Sequence, residues 1–231
     1  MKTLGMLGGM SWESTQHLYA LINRGVAARL GGLHSADLLL HSVDFAPIAA
    51  LQTAGDWAGA AAVLGAAGTG LCRAGAEALL IASNTMHLVA NDVERAAGLP
   101  VLHIVDATAE ALRAAGVRRA GLLATRFTME QGFYRERMWQ RFGIEVVTPD
   151  EPGRAEVHRI IYEELCRGRF EPDSREALRS QVAALAERGA QAAILGCTEL
   201  GLLLPAGAPA ALPLFDSTDL QARAAVDWML G

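Results

Sequence analysis

The sequence predicts an α/β fold with two pseudo-symmetric lobes, each a three-layer α/β/α unit built on a parallel sheet. Short runs rich in Leu, Ile and Val alternate with longer Ala-rich stretches of helical period, and this alternation is typical of βαβ units. The second observation is an internal repeat, which divides the chain into two similar halves. Two such lobes predict an active site in the cleft between them.

The internal repeat consists of three pairs of segments that occur in the same order in both halves. The pairs are 2–8 with 119–125, 75–85 with 189–199, and 99–106 with 212–217. The spacing is kept as well, since Gly5 lies 78 positions before Ser83 and Gly121 lies 76 positions before Cys197. Each half therefore offers one reactive side chain at the end of a predicted strand.

The elements follow from the alternation of apolar runs and helical periods. The runs that are short and continuously apolar predict buried strands at 3–7, 37–42, 77–82, 100–104, 119–124, 144–147, 191–195 and 213–215. The stretches between them predict helices at 11–30, 57–74, 86–97, 106–115, 129–141, 154–167, 173–188 and 217–229. Ser11 with Ser14, and Asp106 with Thr108, are plausible helix start signals.

The repeat also predicts how the chain is divided. Its joins fall near residues 98–106 and 208–216. A chain that crosses between the lobes at both joins gives a first lobe of 1–103 plus 211–231 and a second lobe of 104–210.

Composition excludes several classes of protein. The chain has 231 residues, of which 52% are hydrophobic and 19% charged, and its net charge is -5. This charge gives no electrostatic case for binding nucleic acid or an anionic membrane. No apolar run approaches the roughly 20 residues that span a bilayer, and Gly8-Gly9 and Glu13 interrupt the first one. The expected location is the cytoplasm.

Cys197 is the strongest candidate for a chemical role. The other two cysteines, Cys72 and Cys166, lie in helix-like stretches, and the three have no CxxC spacing, so no metal site is expected. Cys197 follows a predicted parallel strand, and ligands of open α/β sheets bind at such carboxyl ends. Backbone N–H groups in the next turn would lower the pKa of its thiol.

Ser83 takes the place of Cys197 in the other copy of the repeat. Taken alone, the segment 83–85 is more typical of a helix cap or an Asx-turn than of a site. Its pairing with Cys197 through the repeat favours a functional position. A Ser83–His87 pair is conceivable, although a structural histidine is the simpler interpretation. The glycines at 5, 8 and 9 lack the GxGxxG spacing of a dinucleotide site.

These residues resemble the aspartate/glutamate racemase superfamily, and most closely its aspartate racemase and broad-specificity amino-acid racemase branch. The segments that carry the resemblance are 5–15 (GMLGGMSWEST), 41–45 (HSVDF), 83–87 (SNTMH) and 196–199 (GCTE). They span nearly the whole chain in order. The resemblance implies a cofactor-independent amino-acid racemase with two α/β lobes. It also implies a small-molecule amino-acid substrate and a homodimer.

Family members usually use two cysteines, one on each face of the substrate α-carbon. The resemblance places the second cysteine at Cys197 and the first at Ser83, so this chain departs from the usual pair. It implies that Cys197 is the thiolate base and that Ser83 passes a proton to the carbanion. The substrate-binding positions that it implies are Met10, Gln52, Asn84, Thr85, Thr125, Arg167 and Thr198, with Thr128 less closely matched.

Two features leave the reaction open. Arg167 would favour aspartate or glutamate if it faced the cleft, because a guanidinium fits a carboxylate; an exposed arginine at a helix end is the alternative. Ser83 also permits a single-thiol decarboxylase or isomerase of the same superfamily. A relative that binds an amino acid without catalysis is the third possibility.

Overall fold

The computed structural model describes residues 1–205 and 207–231, and these divide into two compact units. Unit 1 contains Met1–Ile104 and Gln221–Gly231, and unit 2 contains Val105–Leu220. The chain leaves unit 1 at the start of helix α5 (Ile104–Ala114) and returns to it inside helix α11 (Ser217–Leu230).

Unit 1 is built on a three-stranded parallel sheet in the order β2-β1-β3. Its strands are β1 (Leu4–Gly8), β2 (Leu38–Ser42) and β3 (Ala78–Ile81). Its helices are α1 (Trp12–Leu30), α2 (Phe45–Ala54), α3 (Trp57–Arg73), a 3₁₀ helix over Thr85–Val89, and α4 (Ala90–Ala97). The Ser11 side chain caps α1 by accepting a hydrogen bond from Ser14 N, as its start signal predicts.

Side chains that alternate along β1 and β3 fill a core on each face of this sheet. Leu7, Leu79 and Ile81 belong to one cluster, which also contains buried residues of α2, α3 and α4. Met6 and Leu80 belong to the other cluster, with α1 and α11. Both faces are covered by helices, so the strands are apolar throughout, as expected for a buried parallel sheet.

Unit 2 is built on a four-stranded parallel sheet in the order β5-β4-β6-β7. Its strands are β4 (Arg119–Ala124), β5 (Glu145–Val147), β6 (Ala192–Gly196) and β7 (Leu214–Asp216). Its further helices are α6 (Arg126–Glu130), α7 (Phe133–Phe142), α8 (Glu151–Arg159), α9 (Pro172–Glu187) and α10 (Thr198–Leu203). A π-helical turn over Ile160–Glu164 and a 3₁₀ turn over Leu165–Arg167 follow α8.

The internal repeat of the sequence is also visible in the backbone hydrogen bonds of the two units. In the strand registers Gly5 corresponds to Gly121, one position off the alignment of segments 2–8 and 119–125. In this register equivalent amides donate to equivalent carbonyls: Glu77 N to Thr3 O (2.9 Å) and Gln191 N to Arg119 O (2.8 Å), then Leu79 N to Pro100 O (2.8 Å) and Ala193 N to Pro213 O (2.9 Å). The two sheets therefore share one local plan, in which β1 and β3 correspond to β4 and β6. The predicted α/β class with two parallel sheets is confirmed.

The predicted strand at 100–104 is reduced to a single bridge between Leu79 and Val101. The bridge has the hydrogen bonds of a parallel pair, Leu79 N to Pro100 O and Leu102 N to Leu79 O (both 2.8 Å). Val101 N points away from β3 and donates to the Glu94 carboxylate (2.7 Å). Helix α5 then begins at Ile104. The corresponding segment of unit 2 does form a strand, β7.

Two helices are missing from the prediction, and three predicted helices are divided. The helix predicted over 86–97 consists of the 3₁₀ helix and α4, and the helix predicted over 129–141 starts in α6 and is interrupted before α7. Helices α2 and α10 were not expected. The helix predicted over 154–167 consists instead of α8, the π-helical turn and the 3₁₀ turn. The units also differ from the predicted lobes at the second join, because β7 pairs with β6 and residues 211–220 therefore group with unit 2.

Across the described parts of the chain, no helix combines the length and the apolar character that crossing a bilayer requires.

Candidate active site

The loops that follow β1 and β3 start next to each other, at the carboxyl ends of these strands in unit 1. Leu7 is in register with Ile81, so the turns that follow β1 and β3 start side by side. Gly9 has a φ of 94°, and a Cβ atom there would lie 2.1 Å from Val43 O. Glycine is required at this position because the backbone approaches another chain segment in a left-handed conformation.

Ser83 is the second residue after β3 and is partly exposed. The His87 ring contacts its carbonyl oxygen, with 2.8 Å between Nδ1 and O. The other ring nitrogen, Nε2, accepts a hydrogen bond from Ile104 N at 3.2 Å. Nδ1 therefore carries the ring proton and donates a hydrogen bond to Ser83 O. His87 holds the Ser83 backbone and does not act on its hydroxyl, which is the structural interpretation of this histidine.

The other predicted binding residues of unit 1 are buried around the ends of β1 and β3. Asn84 and Thr85 follow Ser83 directly. Gln52, on α2, donates from Nε2 to Met86 Sδ (3.0 Å), and Met10 belongs to the same apolar cluster as Met86. The fold thus brings all four residues to the part of the unit that contains Ser83.

In unit 2, Thr125 and Cys197 lie at the carboxyl ends of the corresponding strands, β4 and β6. Ala124, the last residue of β4, is in register with Gly196, the last residue of β6. Thr125 and Cys197 are the next residues of each strand. Thr125 is buried and caps α6 by accepting from Thr128 N (3.3 Å), and its hydroxyl lies 3.2 Å from that of Thr128.

Cys197 is the N-cap residue of α10 and is partly exposed. Its Sγ donates to Glu199 Oε2 at 3.0 Å. Burial, followed by the negative charge of Glu199, raises the pKa of the Cys197 thiol well above its usual value. The expectation that the pKa would be lowered was wrong, because desolvation and a neighbouring carboxylate outweigh the N–H groups of a six-residue helix.

Thr198 is buried next to Cys197, and its hydroxyl accepts a hydrogen bond from Thr218 Oγ1 (3.2 Å). Ser217, beside Thr218, donates to Leu195 O (2.8 Å). These bonds attach the start of α11 to the start of α10 and to β6. Thr198 is therefore fixed where the resemblance places a substrate contact.

Arg167 ends the 3₁₀ turn that precedes Gly168, and its side chain is exposed. This position agrees with the alternative of an arginine at a helix end. The preceding residue, Cys166, contacts Glu199 of α10 through its thiol, and a substrate contact of Arg167 stays a prediction.

Comparison with known proteins identifies the family. The family model described as Asp/Glu/Hydantoin racemase matches residues 7–225. The chain belongs to this family.

Several solved structures are similar to this chain over all or nearly all of its length. A candidate Asp/Glu racemase from Yersinia pestis is 52% identical over 100% of both chains, with a TM-score of 0.92. An aspartate racemase homologue from Pyrococcus horikoshii is 33% identical, also over 100% of both chains, with a TM-score of 0.84. An arylmalonate decarboxylase is 14% identical over 99% of this chain and 93% of its own, with a TM-score of 0.54. This last likeness shows the fold alone, so the fold does not distinguish racemase from decarboxylase.

Within this racemase-family chain, sequence reasoning missed two side chains near Cys197. Glu199 is buried and contacts Cys197 Sγ. Tyr162 lies on the π-helical turn, and burial, with smaller effects of Cys197, Cys166 and Glu199, raises the pKa of its hydroxyl. Glu199 could have been found, because it stands two residues after the cysteine. Tyr162 could not, because only the π-helical turn brings it there.

Proposed function

We propose that this chain is a cofactor-independent amino-acid racemase that acts on the α-carbon of aspartate or glutamate. Cys197 and Ser83 are the proposed proton-transfer residues. The observation that carries the proposal is their equivalence, since each follows the corresponding strand of its unit, β6 or β3, in a chain of the Asp/Glu/Hydantoin racemase family.

Inversion at a carbon needs one proton-transfer group for each face of the substrate. General acid–base catalysis requires each group to come within hydrogen-bonding reach of the proton that it moves. The proposal therefore requires Cys197 and Ser83 to reach one α-carbon from opposite faces. Donors near the two residues, such as Asn84, Thr85 and Thr198, would hold the carboxylate on which charge develops.

The two groups are not equivalent in acidity. A serine hydroxyl is a far weaker acid than a thiol, and each pKa unit costs about 1.4 kcal/mol in forming the anion. Ser83 is therefore assigned as the proton donor and Cys197 as the base. The two enantiomers have equal free energies in water, so the equilibrium constant stays at one. The different acidities of Ser83 and Cys197 would instead make kcat differ between the L and the D enantiomer.

A single-thiol decarboxylase is the second candidate, and a specific observation favours it. The raised pKa of Cys197 keeps the thiol protonated at neutral pH. A protonated thiol is suited to deliver a proton to the carbanion that remains after loss of carbon dioxide. Such a reaction would need no second thiol, and Ser83 would be compatible with it.

One experiment separates these functions. The protein is incubated in deuterated water with single enantiomers of aspartate, glutamate and alanine, and with a substituted malonate. Incorporation of α-deuterium, optical rotation and release of carbon dioxide are followed together. A racemase exchanges the α-hydrogen and loses optical rotation without gas release, whereas a decarboxylase releases gas from the malonate. Amino-acid binding without either reaction would indicate a binding protein and would refute the proposal.

Cys197→Ala should lower the exchange rate at least about 100-fold, as expected for loss of a general base. Cys72→Ala is the matched control, because Cys72 lies on α3 in unit 1 and should leave the rate unchanged. Full exchange by Cys197→Ala would exclude this residue as the base.

Ser83→Cys should raise the rate in the slower direction. The new thiol forms an anion more readily than the hydroxyl does, so residue 83 could then act as a base as well as a proton donor. The measurement is the initial rate of exchange from each enantiomer. The rate to compare is kcat at saturating substrate, because the two kcat/KM values of a racemase must change by the same factor. No gain in kcat in the slower direction would place residue 83 outside the proton path.

A further inference from the structure

A second thiol of unit 2 contacts the same side chain as Cys197. Cys166 Sγ donates to Glu199 Oε1 (3.9 Å), and Cys197 Sγ donates to Oε2 of the same carboxylate (3.0 Å). Cys166 lies on the 3₁₀ turn Leu165–Arg167, which packs against α10, the helix that Cys197 caps. Both cysteines are partly exposed, and the proposed function uses only Cys197.

Electrostatic effects also place the two sulfur atoms in one group of side chains. Burial, then the charge of Glu199 and then that of Cys166, raise the pKa of the Cys197 thiol. Burial, then Cys197, Cys166 and Glu199, raise the pKa of the hydroxyl of Tyr162, on the π-helical turn before Cys166. Of these four side chains, the two thiols are the pair that can form a covalent bond with each other.

Neither cysteine lies inside an α-helix or a strand. Cys197 follows β6 with an extended backbone (φ -150°, ψ 135°), and Cys166 lies in a short 3₁₀ turn. Their side chains can therefore change direction without breaking the sheet or an α-helix, while the Glu199 carboxylate turns away. Cys72 belongs to unit 1 and Ser83 has no sulfur atom, so Cys166 is the second thiol that unit 2 offers.

We propose that Cys166 and Cys197 form a reversible disulfide when a peroxide enters the site, and that this bond stops proton transfer by Cys197. Formation of the bond is independent of the proposed racemase function, whereas its effect on activity rests on that function. In the disulfide, Cys197 Sγ has no proton to give and no thiolate charge with which to accept one. Reduction by an external thiol restores both groups.

The oxidation balances with hydrogen peroxide as the oxidant. The Cys166 thiolate attacks one peroxide oxygen, the O–O bond breaks, and hydroxide leaves, so that a sulfenic acid forms. The Cys197 thiolate then attacks that sulfur, the S–S bond forms, and a second hydroxide leaves. The two hydroxides take up the two protons that the thiols have lost. Two thiols and one peroxide therefore give one disulfide and two water molecules.

Cys166 is assigned the first attack because of its longer distance from the carboxylate. Its Sγ is 3.9 Å from Glu199, whereas Cys197 Sγ is 3.0 Å away. A nearby negative charge disfavours the thiolate, and the thiolate is the form that attacks a peroxide. The closer carboxylate therefore protects Cys197 more than Cys166.

The first test maps the bond without turnover. The protein is treated with hydrogen peroxide at pH 8, its free thiols are blocked with N-ethylmaleimide, and it is digested with trypsin without reduction. Trypsin cuts after Arg167 and Arg188, so Cys166 and Cys197 lie on different peptides. Mass spectrometry should find these two peptides linked, with Cys72 blocked. Oxidised protein without this link, or a link of either residue to Cys72, would overturn the proposal.

Substitutions of the cysteines test which thiol reacts first. In Cys166→Ser and in Cys166→Ala, Cys197 should keep its free thiol about tenfold longer, because its own thiolate is scarce. No linked peptide should appear in either variant. Cys72→Ala is the matched control and should form the link at the wild-type rate. Loss of the free Cys197 thiol at the same rate in all of these proteins would contradict the assigned order and refute the proposal.

Glu199→Gln tests the carboxylate contact that brings the thiols together. Removal of the like charge should make the linked peptide appear about tenfold faster at pH 8, because both thiolates then form more readily. Glu187→Gln removes an exposed carboxylate of α9 and should leave the rate unchanged. An unchanged rate in Glu199→Gln would show that the two thiols do not share this carboxylate, and the proposal would be wrong.

The last measurement follows activity. A treatment that links half of the protein should lower the rate of α-hydrogen exchange about twofold, and dithiothreitol should restore it. Cys166→Ser should keep most of its rate under the same treatment. Linked protein that still exchanges at the full rate would refute the effect on Cys197. If the wild type exchanges no α-hydrogen, the proposed function fails, and the peptide map still decides whether the bond forms.

Discussion

Ser83 depends for its position on the His87 ring. The ring connects Ser83 O (2.8 Å) to Ile104 N (3.2 Å) and is itself buried. This one side chain therefore ties the turn after β3 to the first residue of α5. A substitution at residue 87 should affect both stability and the orientation of Ser83.

His87→Ala should lower the free energy of unfolding by about 1–3 kcal/mol, the usual cost of removing a partner from buried polar groups. Denaturant unfolding measures the change. His34→Ala is the matched control because His34 is exposed, and it should change the free energy by less than about 0.5 kcal/mol. Equal effects of the two substitutions would show that the His87 contacts do not stabilise unit 1.

Individual residues of the candidate site could be proposed from the sequence only where the repeat or the resemblance singled them out. Ser83 and Cys197 were identified in this way, and their positions after β3 and β6 follow from the sequence pattern. The pKa of Cys197 could not be predicted correctly. It depends on the direction of the Glu199 side chain and on burial, and neither is encoded in the spacing of the residues.

At the scale of elements, helix α10 is fixed by a close approach to the end of β7. A Cβ atom on Gly201 would meet the carboxylate of Asp216 at 1.8 Å from Oδ2. That carboxylate is held in place by Thr218 N (2.8 Å). The glycine is therefore needed for space, since its backbone is not in the left-handed region.

Gly201→Ala should lower the free energy of unfolding by about 1–3 kcal/mol, because either α10 or the Asp216 turn must move. Gly70→Ala is the control on α3, where a Cβ atom would meet nothing within 4 Å. It should stabilise the protein by up to about 1 kcal/mol through helix propensity. Thermal unfolding of both variants gives the comparison, and stabilisation by Gly201→Ala would contradict the close approach.

Helices and strands were predicted well where a regular hydrophobic period continues over many residues. They were predicted poorly where contacts with a side chain from another element fix the backbone conformation. The helix expected at 154–167 changes to a π-helical turn at Ile160. Glu164, at the end of that turn, is bonded to Ser174 on α9 and to Arg159. A partner ten residues away along the chain thus helps to fix the irregular turn, and no local pattern reports it.

For the whole molecule, the duplicated plan was the most predictable feature. Apolar strands, helical periods and the repeated segments 75–85 and 189–199 together indicate two similar parallel sheets. The units differ at Val101, which forms only a single bridge to β3 before α5 begins at Ile104. The equivalent segment of unit 2 is hydrogen-bonded as β7. The sequence pattern therefore predicted the common plan and missed this difference.

The stability of the whole protein should depend on pH through Asp216. Burial raises the pKa of this carboxyl from 3.8 to about 6. The folded state therefore binds a proton more tightly than the unfolded state does. The stabilising contribution of the protonated group is fully present below about pH 4 and is lost as the pH rises through about 6. A difference of about two pKa units corresponds to about 3 kcal/mol.

Asp216→Asn should remove this dependence, because the amide stays neutral while its oxygen can still accept from Thr218 N. The free energy of unfolding, measured with denaturant from pH 4 to 8, should fall with pH in the wild type relative to the variant. The variant should be the more stable of the two at pH 8. Asp92→Asn, which changes an exposed carboxylate on α4, controls for net charge and should follow the wild type. Parallel curves for the wild type and Asp216→Asn would mean that Asp216 titrates normally, and the buried turn between β7 and α11 would then not be a source of pH sensitivity.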